Sequence, residues 1–327
     1  MLTIAVALLS LCVGAIAVPL LEVVTSVLRF IGLGSVGGSS SLYDAVVVDI
    51  RFPRVVAATC VGASLGAAGC ILQALLRNPL ASPFVVGASS AASLGAVLGL
   101  FLGLPYLLML GSSFGFATAG GAVVLLLART RGRLPTEAVV LVGFGVGLLF
   151  SAATGLVQYL TRDEGQLRAM VLWLLGGLWH VTWTPLVVQV PLTLVALLAC
   201  LPMMRRLDLI SLGEFDALRL GLEVSRARTI MLLLACLLTA LAVSLAGVVA
   251  FVGLLVPHIA RRLVGVAHRR LLPASAIAGA LFLVGADTAC RTLFLPHELP
   301  LGIVSSMVGA PFFIALLQTV KHREAFL

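Results

Sequence analysis

Long apolar stretches broken by short polar loops dominate the chain, and they run well past the ten-residue alternation of a membrane β-barrel. Met231–Val249 is one uninterrupted case. The pattern predicts an all-α architecture. Spanning helices are expected over about 4–28, 52–76 and 84–104, then up to Arg129, out again by about 160 and back to Met204. A further span covers 229–247, a broken piece with Gly253 and Pro257 covers 248–264, and two more spans follow, over 271–291 and up to the terminal "KHRE". Ten crossings put both termini on the same, cytoplasmic side. "WLLGGLWHVTW" (173–183) suits a short interfacial or re-entrant helix, because Trp favours that depth. Ala15–Ile16–Ala17 spells a signal-peptidase site. No Lys or Arg precedes it, however, and the apolar run continues to Leu28, so an uncleaved first span is expected.

One segment departs from this pattern. Residues 207–228, "LDLISLGEFDALRLGLEVSRAR", are amphipathic and mixed in charge. Ser211 and Glu214 stand at capping-box spacing, Leu212, Phe215 and Leu218 recur along one side, and Gly221 can stop the helix. A short helix on the cytoplasmic face is expected. By its residues alone it serves equally as a membrane-surface connector or as a docking element for a soluble partner.

Composition sharpens the class. Of 327 residues, 61% are hydrophobic and 10% charged, against about 25% charged in soluble domains. Such a chain cannot cover a water-facing surface, and at about 20 residues per span it has material for about ten crossings. The net charge is +8, nearly all of it arginine. Arginines cluster at 129/131/133, 205/206, 226/228, 261/262 and 269/270, between apolar runs, which is the positive-inside pattern and not a nucleic-acid footprint. No break in composition divides the chain, so residues 1–327 read as a single membrane domain. The six cysteines all lie in apolar runs and read as small core residues.

Several chemistries are excluded. A phosphate-binding G-x-x-x-x-G-K-[ST] loop needs a lysine, and the only lysine is Lys321, near the C-terminal end. No H-E-x-x-H or G-x-S-x-G motif occurs. An ion-coupled carrier would need buried ionisable groups. Asp287 is the main candidate, and Arg291, four residues on, explains it as a structural pair.

Four stretches carry a resemblance: "RFPRVVAATCVGASLGAAGCILQALLRNPLASP" (51–83), "LISLGEFDALRLGLEVSRAR" (209–228), "FVGLLVPHIARRLVGVAHRRLLPASAIAGALFLVGADTACR" (251–291) and "ELPLGIVSSMVGAPFFIALL" (298–317). In order and spacing they resemble the FecCD-type permeases, the membrane subunits of ABC importers for ferric siderophores, haem and cobalamin. The resemblance implies a homodimer of ten-helix subunits in the bacterial cytoplasmic (inner) membrane. Two ATPase subunits would bind the cytoplasmic face and carry the ATP and Mg, and a periplasmic binding protein would deliver the cargo. No cofactor is expected in this chain. A ferric siderophore is the first choice of cargo, ahead of haem or cobalamin, and an ion-coupled secondary transporter is the alternative function.

The resemblance also implies roles. Ser211, Leu212, Gly213, Glu214, Ala217, Leu220 and Gly221 would form the ATPase-coupling element. Arg51, Arg54 and Arg291 would dock glutamates of the binding protein, where the competing readings are a pair with Asp287 for Arg291 and with Asp49 or a lipid phosphate for Arg51. Asn78, Leu80 and Thr136 would lie at the inner mouth of the pathway, where plain loop chemistry is the alternative. His258 reads as structural or ATPase-adjacent, His180 as the histidine to test as a haem contact, and His297 as a loop residue.

Overall fold

The computed structural model describes residues 2–32, 42–130 and 134–324. The expectations for Arg131, Arg133, the Gly/Ser-rich stretch 33–41 and the chain ends lie outside the described residues. All regular elements among the described residues are helical: α1 (Leu2–Cys12), α2 (Leu20–Phe30), α3 (Leu42–Asp44), α4 (Phe52–Leu75), α5 (Ala88–Phe101), α6 (Tyr106–Ala128), α7 (Thr136–Leu160), α8 (Glu164–Leu174), α9 (Trp183–Cys200), α10 (Met204–Leu212), α11 (Glu214–Arg219), α12 (Val224–Ala246), α13 (Val252–Val264), α14 (His268–Thr292) and α15 (Leu301–Glu324).

Among the described residues six helices are long and apolar enough to cross a membrane: Leu42–Leu75, Tyr106–Ala128, Thr136–Leu160, Trp183–Leu212, Val224–Ala246 and His268–Thr292. Three other expected spans are shorter or divided, and the last is the 24-residue α15. The first, expected over 4–28, is two 11-residue helices parted at 13–19, where Pro19 forbids continuation. The third is the 14-residue α5, which starts only after Gly87 turns with φ +74°. The piece expected to be broken is the 13-residue α13, which runs unbroken through Gly253 and Pro257; the interruption lies before it, at 247–251. Between α7 and the Trp-rich stretch, α8 starts at Glu164, where the Asp163 side chain accepts from the Gln166 amide at 2.6 Å as an N-cap.

At the centre stands α4, buried along nearly its whole length against α14, α12 and α13. Its first turns widen into a π-helical stretch over Ala45–Arg51. Pro53 follows immediately; it lacks an amide hydrogen and its ring crowds the carbonyl four residues earlier. Between lipid-bathed helices there is little hydrophobic drive, so packing has to come from close backbone approach at small residues. Methyl groups built on Gly62, Gly66 and Gly69 would strike the carbonyls of Gly279, Ser275 and Gly253. By contrast, α6, α7 and α9 leave many leucines and valines exposed, as lipid-facing helices do.

Contacts fix the two ends of the bundle. Asp208 meets His268, Arg228 meets Leu134 and Gln73 meets Arg261, which gathers the arginine-rich loops at one basic end. At the opposite end Arg54 meets Glu298, Trp183 meets Val48 and Leu301 meets Gly176.

Candidate functional site

At the basic end the segment expected to be one capped helix is divided. The hydroxyl of Ser211 donates to the Leu207 carbonyl at 2.8 Å and so belongs to α10. Gly213, at φ +131°, makes the break, and α11 starts at Glu214 with no side-chain cap. The capping box therefore does not form, because Glu214 accepts from Arg228 Nη1 at 3.2 Å instead. The stop at Gly221 is as expected, with φ +80° and its amide on the Leu218 carbonyl at 3.0 Å.

Around this break Leu212, Phe215, Leu218 and Leu220 are 61, 65, 54 and 61% exposed. Ala217 is buried beneath them, and Arg219 lies 4.3 Å over the Phe215 ring. Two clasps hold the segment. Asp208 accepts from the His268 backbone amide at 2.8 Å and meets its Nδ1 at 2.7 Å, which ties α10 to the start of α14. Arg228 joins Glu214 of α11 to the Leu134 carbonyl at 3.2 Å, immediately before α7. Any displacement of α11 therefore pulls on α12 and α7 together.

The inner-mouth candidates lie close by. Asn78 Oδ1 accepts from the Leu80 amide at 2.9 Å, the turn that Pro79 imposes. Thr136 opens α7 and lines a polar cavity of about 380 Å³ with Arg77, Glu137, Glu214 and Arg228. Asn78 lines a separate cavity, and Arg77 borders both.

The three arginines expected to dock a partner are instead spent inside the chain, at 4, 4 and 6% exposure for Arg51, Arg54 and Arg291. Arg51 donates to the carbonyls of Leu11 (2.6 Å), Cys12 (3.1 Å) and Ile16, and so covers the gap between α1 and α2. Arg54 binds Asp287 at 2.9 Å and Glu298 at 2.8 Å. Arg291 binds Asp287 at 3.0 Å and Ser10 Oγ at 2.7 Å. In the chain by itself these desolvated guanidiniums form an internal clamp, which includes the Asp287–Arg291 pair that their four-residue spacing predicts.

His180 follows α8 beside Tyr106 and Trp179, with ring centroids 5.3 and 5.7 Å away. Burial pushes its pKa down to about 4. The cavity it lines, about 250 Å³, is below the range usual for drug-sized ligands, so nothing here favours a haem contact. His258 packs 6.4 Å from Phe312, centroid to centroid, and His297 is exposed in its loop.

One site has no counterpart among the expectations. Ser89, Ser90 and Ser93 of α5 face Ser151, Thr154 and Gln158 of α7 across a cleft of about 340 Å³, closed by Phe84, Leu174 and Val248. No charged residue lines it, and the buried Ser89 hydroxyl has no partner. Its signal was present in the sequence: positions 151, 154 and 158 share one helix face.

A helical bundle with six described helices long and apolar enough to cross a membrane, a neutral polar cleft and a clasped, exposed segment at its basic end is a polytopic membrane protein. The chain belongs to the FecCD transport family, whose model matches residues 2–319. It is 37% identical to the Fe(3+) dicitrate transport system permease FecD of Escherichia coli, over 96% of this chain and 95% of that one. It is 38% identical to the hemin transport system permease HmuU of Yersinia pestis, over 85% and 84%. It is 39% identical to the cobalamin import permease BtuC of Halobacterium salinarum, over 86% and 75%. A solved inward-facing conformation of a metal-chelate type ABC transporter superposes with a TM-score of 0.86 at 30% identity, covering 97% of this chain and 96% of that one.

Proposed function

We propose that this chain is the permease subunit of an ABC importer that carries a metal chelate inward across the bacterial cytoplasmic membrane, powered by a separate ATPase. The observation that carries this reading is the exposed apolar set Leu212, Phe215, Leu218 and Leu220 on a segment clasped to three helices. Four large apolar side chains at a water-facing end need a protein cover. A glycine-bounded helix joined by Arg228 to α12 and α7 is suited to pass motion from that cover into the bundle. From Leu134 to the cleft at Ser151 the path along α7 is about 25 Å.

The cleft supports a homodimer. Polar side chains such as Ser151 and Gln158 on an otherwise apolar helix are costly against lipid tails. A second copy packed on α7 would cover them and complete a two-sided pathway. Asn78, Leu80 and Thr136 then stand near the inner mouth of each half. The binding protein would meet the opposite end, where Arg51, Arg54 and Arg291 lie and Glu298 is the partly exposed member of the clamp. A ferric siderophore is the first choice of cargo, because an uncharged strip of hydroxyls and an amide matches an oxygen-rich chelate surface better than a flat apolar macrocycle. Asp287, held by two arginines, is no free proton carrier, which disfavours ion coupling.

Uptake into proteoliposomes tests the reading. It should require ATP, the ATPase and the binding protein, and ignore proton and sodium gradients. Cargo movement by the permease alone would end it.

A further inference from the structure

A cavity of about 730 Å³ opens at the basic end between the C-terminus of α4, α10 and the α13–α14 turn. Its lining includes Arg77, Arg261, Gln73, Asn78, Asp208 and His268. Three features point to a missing anionic ligand. Arg77 lies exposed on the cavity wall, and its guanidinium has no hydrogen bond or ion pair among the described residues. Arg261 spends one nitrogen on Gln73 Oε1, a weak contact at 3.3 Å. His268 is 5% exposed and its Nε2 is unpartnered, while Nδ1 is taken by Asp208. Asp208 is the one carboxylate in the lining, and the His268 clasp already occupies it.

We infer that this cavity binds the phosphate headgroup of an anionic phospholipid of the cytoplasmic leaflet, held by Arg77 and Arg261. Its volume lies within the range of ligand pockets, about 300–1,000 Å³, and exceeds what a lone phosphate fills. Val266 of its lining stands exposed, where an acyl chain would run. Basic pockets between helices on the cytoplasmic side are a recurring form of lipid-headgroup site. The cavity shares Ser211 and Leu212 with the exposed segment, so the inference rests on the basic end facing the cytoplasmic leaflet and on the ATPase leaving this opening uncovered. Because Asp208 and His268 form one wall, a bound headgroup would brace the junction between the exposed segment and α14.

The test is native mass spectrometry of the full-length protein in detergent, titrated with phosphatidylglycerol or with phosphatidylcholine. The expected result is retention of phosphatidylglycerol only, weakened about fivefold by Arg77→Gln or Arg261→Gln and roughly twenty-five-fold by both, at about 1 kcal/mol per arginine. Arg129→Gln, at the same end but outside the cavity, should retain lipid as the unmodified protein does, which separates a site from general charge. Equal retention in the Arg77 and Arg261 variants, or none in the unmodified protein, overturns the assignment. So does displacement by millimolar inorganic phosphate with no preference for the lipid, which would mark a free-phosphate site. Loss of ATPase binding with lipid retention unchanged would give the cavity to an acidic side chain of that partner, and also overturns it. Size-exclusion profiles confirm that each variant is folded.

Discussion

Arg54 and Asp287 face each other at 2.9 Å across the contact between α4 and α14, both almost fully buried. Asp287 also holds Arg291, and Arg54 also holds Glu298. Removing one member leaves buried charge uncompensated, at a cost of about 3–5 kcal/mol. Asp287→Asn should therefore lower the unfolding temperature sharply. Replacing all three buried members, Arg54→Met, Asp287→Leu and Arg291→Met, should recover much of the loss, because a well-packed apolar cluster is often neutral in place of buried ion pairs and Glu298 is partly exposed. Thermal unfolding in detergent decides it, and equal Tm values for the single and triple variants would reject the clamp.

The packing of α4 gives a second expectation. Gly66→Ala places a methyl group against the Ser275 carbonyl, whereas Gly111→Ala meets nothing within 4 Å. Overpacking costs about 1–3 kcal/mol. Gly66→Ala should lose stability on that scale, and Gly111→Ala should lose none and gain slightly in helix propensity. Similar behaviour of the two in the same melt would mean that α4 and α14 are not in close contact.

These two cases show what can be read from the chain alone. The membrane class, the ends of α4 and α7 and the extent of α14 to within about three residues follow from local pattern, and the structure keeps them, whereas α13 runs on through Gly253 and Pro257. The Asp287–Arg291 pair follows as well, from its four-residue spacing, but the other partners of the outer arginines do not. Arg54 finds partners 233 and 244 positions away and Arg291 finds Ser10 281 positions away, and no periodicity signals such pairings. Ser211 and Glu214 have the spacing of a capping box, yet Arg228 wins the glutamate, because a charge-assisted bond outweighs a neutral cap. The cleft was missed because Ser89, Ser90 and Ser93 look like ordinary small helix residues until α7 is laid against them.

Protonation of His180 should couple to stability. Its folded pKa, near 4, lies below the ordinary value of 6.5. Between those values the unfolded chain binds more protons than the folded one, so stability is complete above about pH 6.5 and falls as pH drops toward 4. The full loss amounts to up to about 3 kcal/mol. His180→Phe should flatten that part of the pH–Tm profile. A slope unchanged by the substitution would place the titration elsewhere.

The exposed segment should be essential for coupling but not for folding. Leu212→Glu and Phe215→Glu alter side chains that are more than half exposed and touch neither clasp. Their Tm should move by less than about 0.5 kcal/mol equivalent. ATP-driven uptake should nevertheless collapse, because an apolar anchor central to an interface is worth about 2 kcal/mol or more. Co-purification with the ATPase and uptake are measured together. Normal uptake in both variants would mean that the partner grips the permease elsewhere.

The neutral cleft makes the last claim, and it separates pathway from scaffold. Ser151 and Gln158 lie on the part of α7 that is not packed into the core, and neither holds a helix contact that the fold depends on. Ser151→Ala and Gln158→Leu should leave stability and ATPase docking intact. If these side chains touch cargo in transit, each removes about 1 kcal/mol of polar contact, and uptake should slow about fivefold per substitution. If the cleft is instead closed by a second copy, Ser151→Cys should also give a cross-linked dimer with a short bis-maleimide, and cargo bound during turnover should protect it. Uptake at the unmodified rate in both variants, together with a Ser151→Cys chain that stays monomeric under the reagent, would leave the cleft facing lipid and remove it from the pathway. The polar face of α7 argues against that outcome, since hydrocarbon offers Gln158 no partner for its amide.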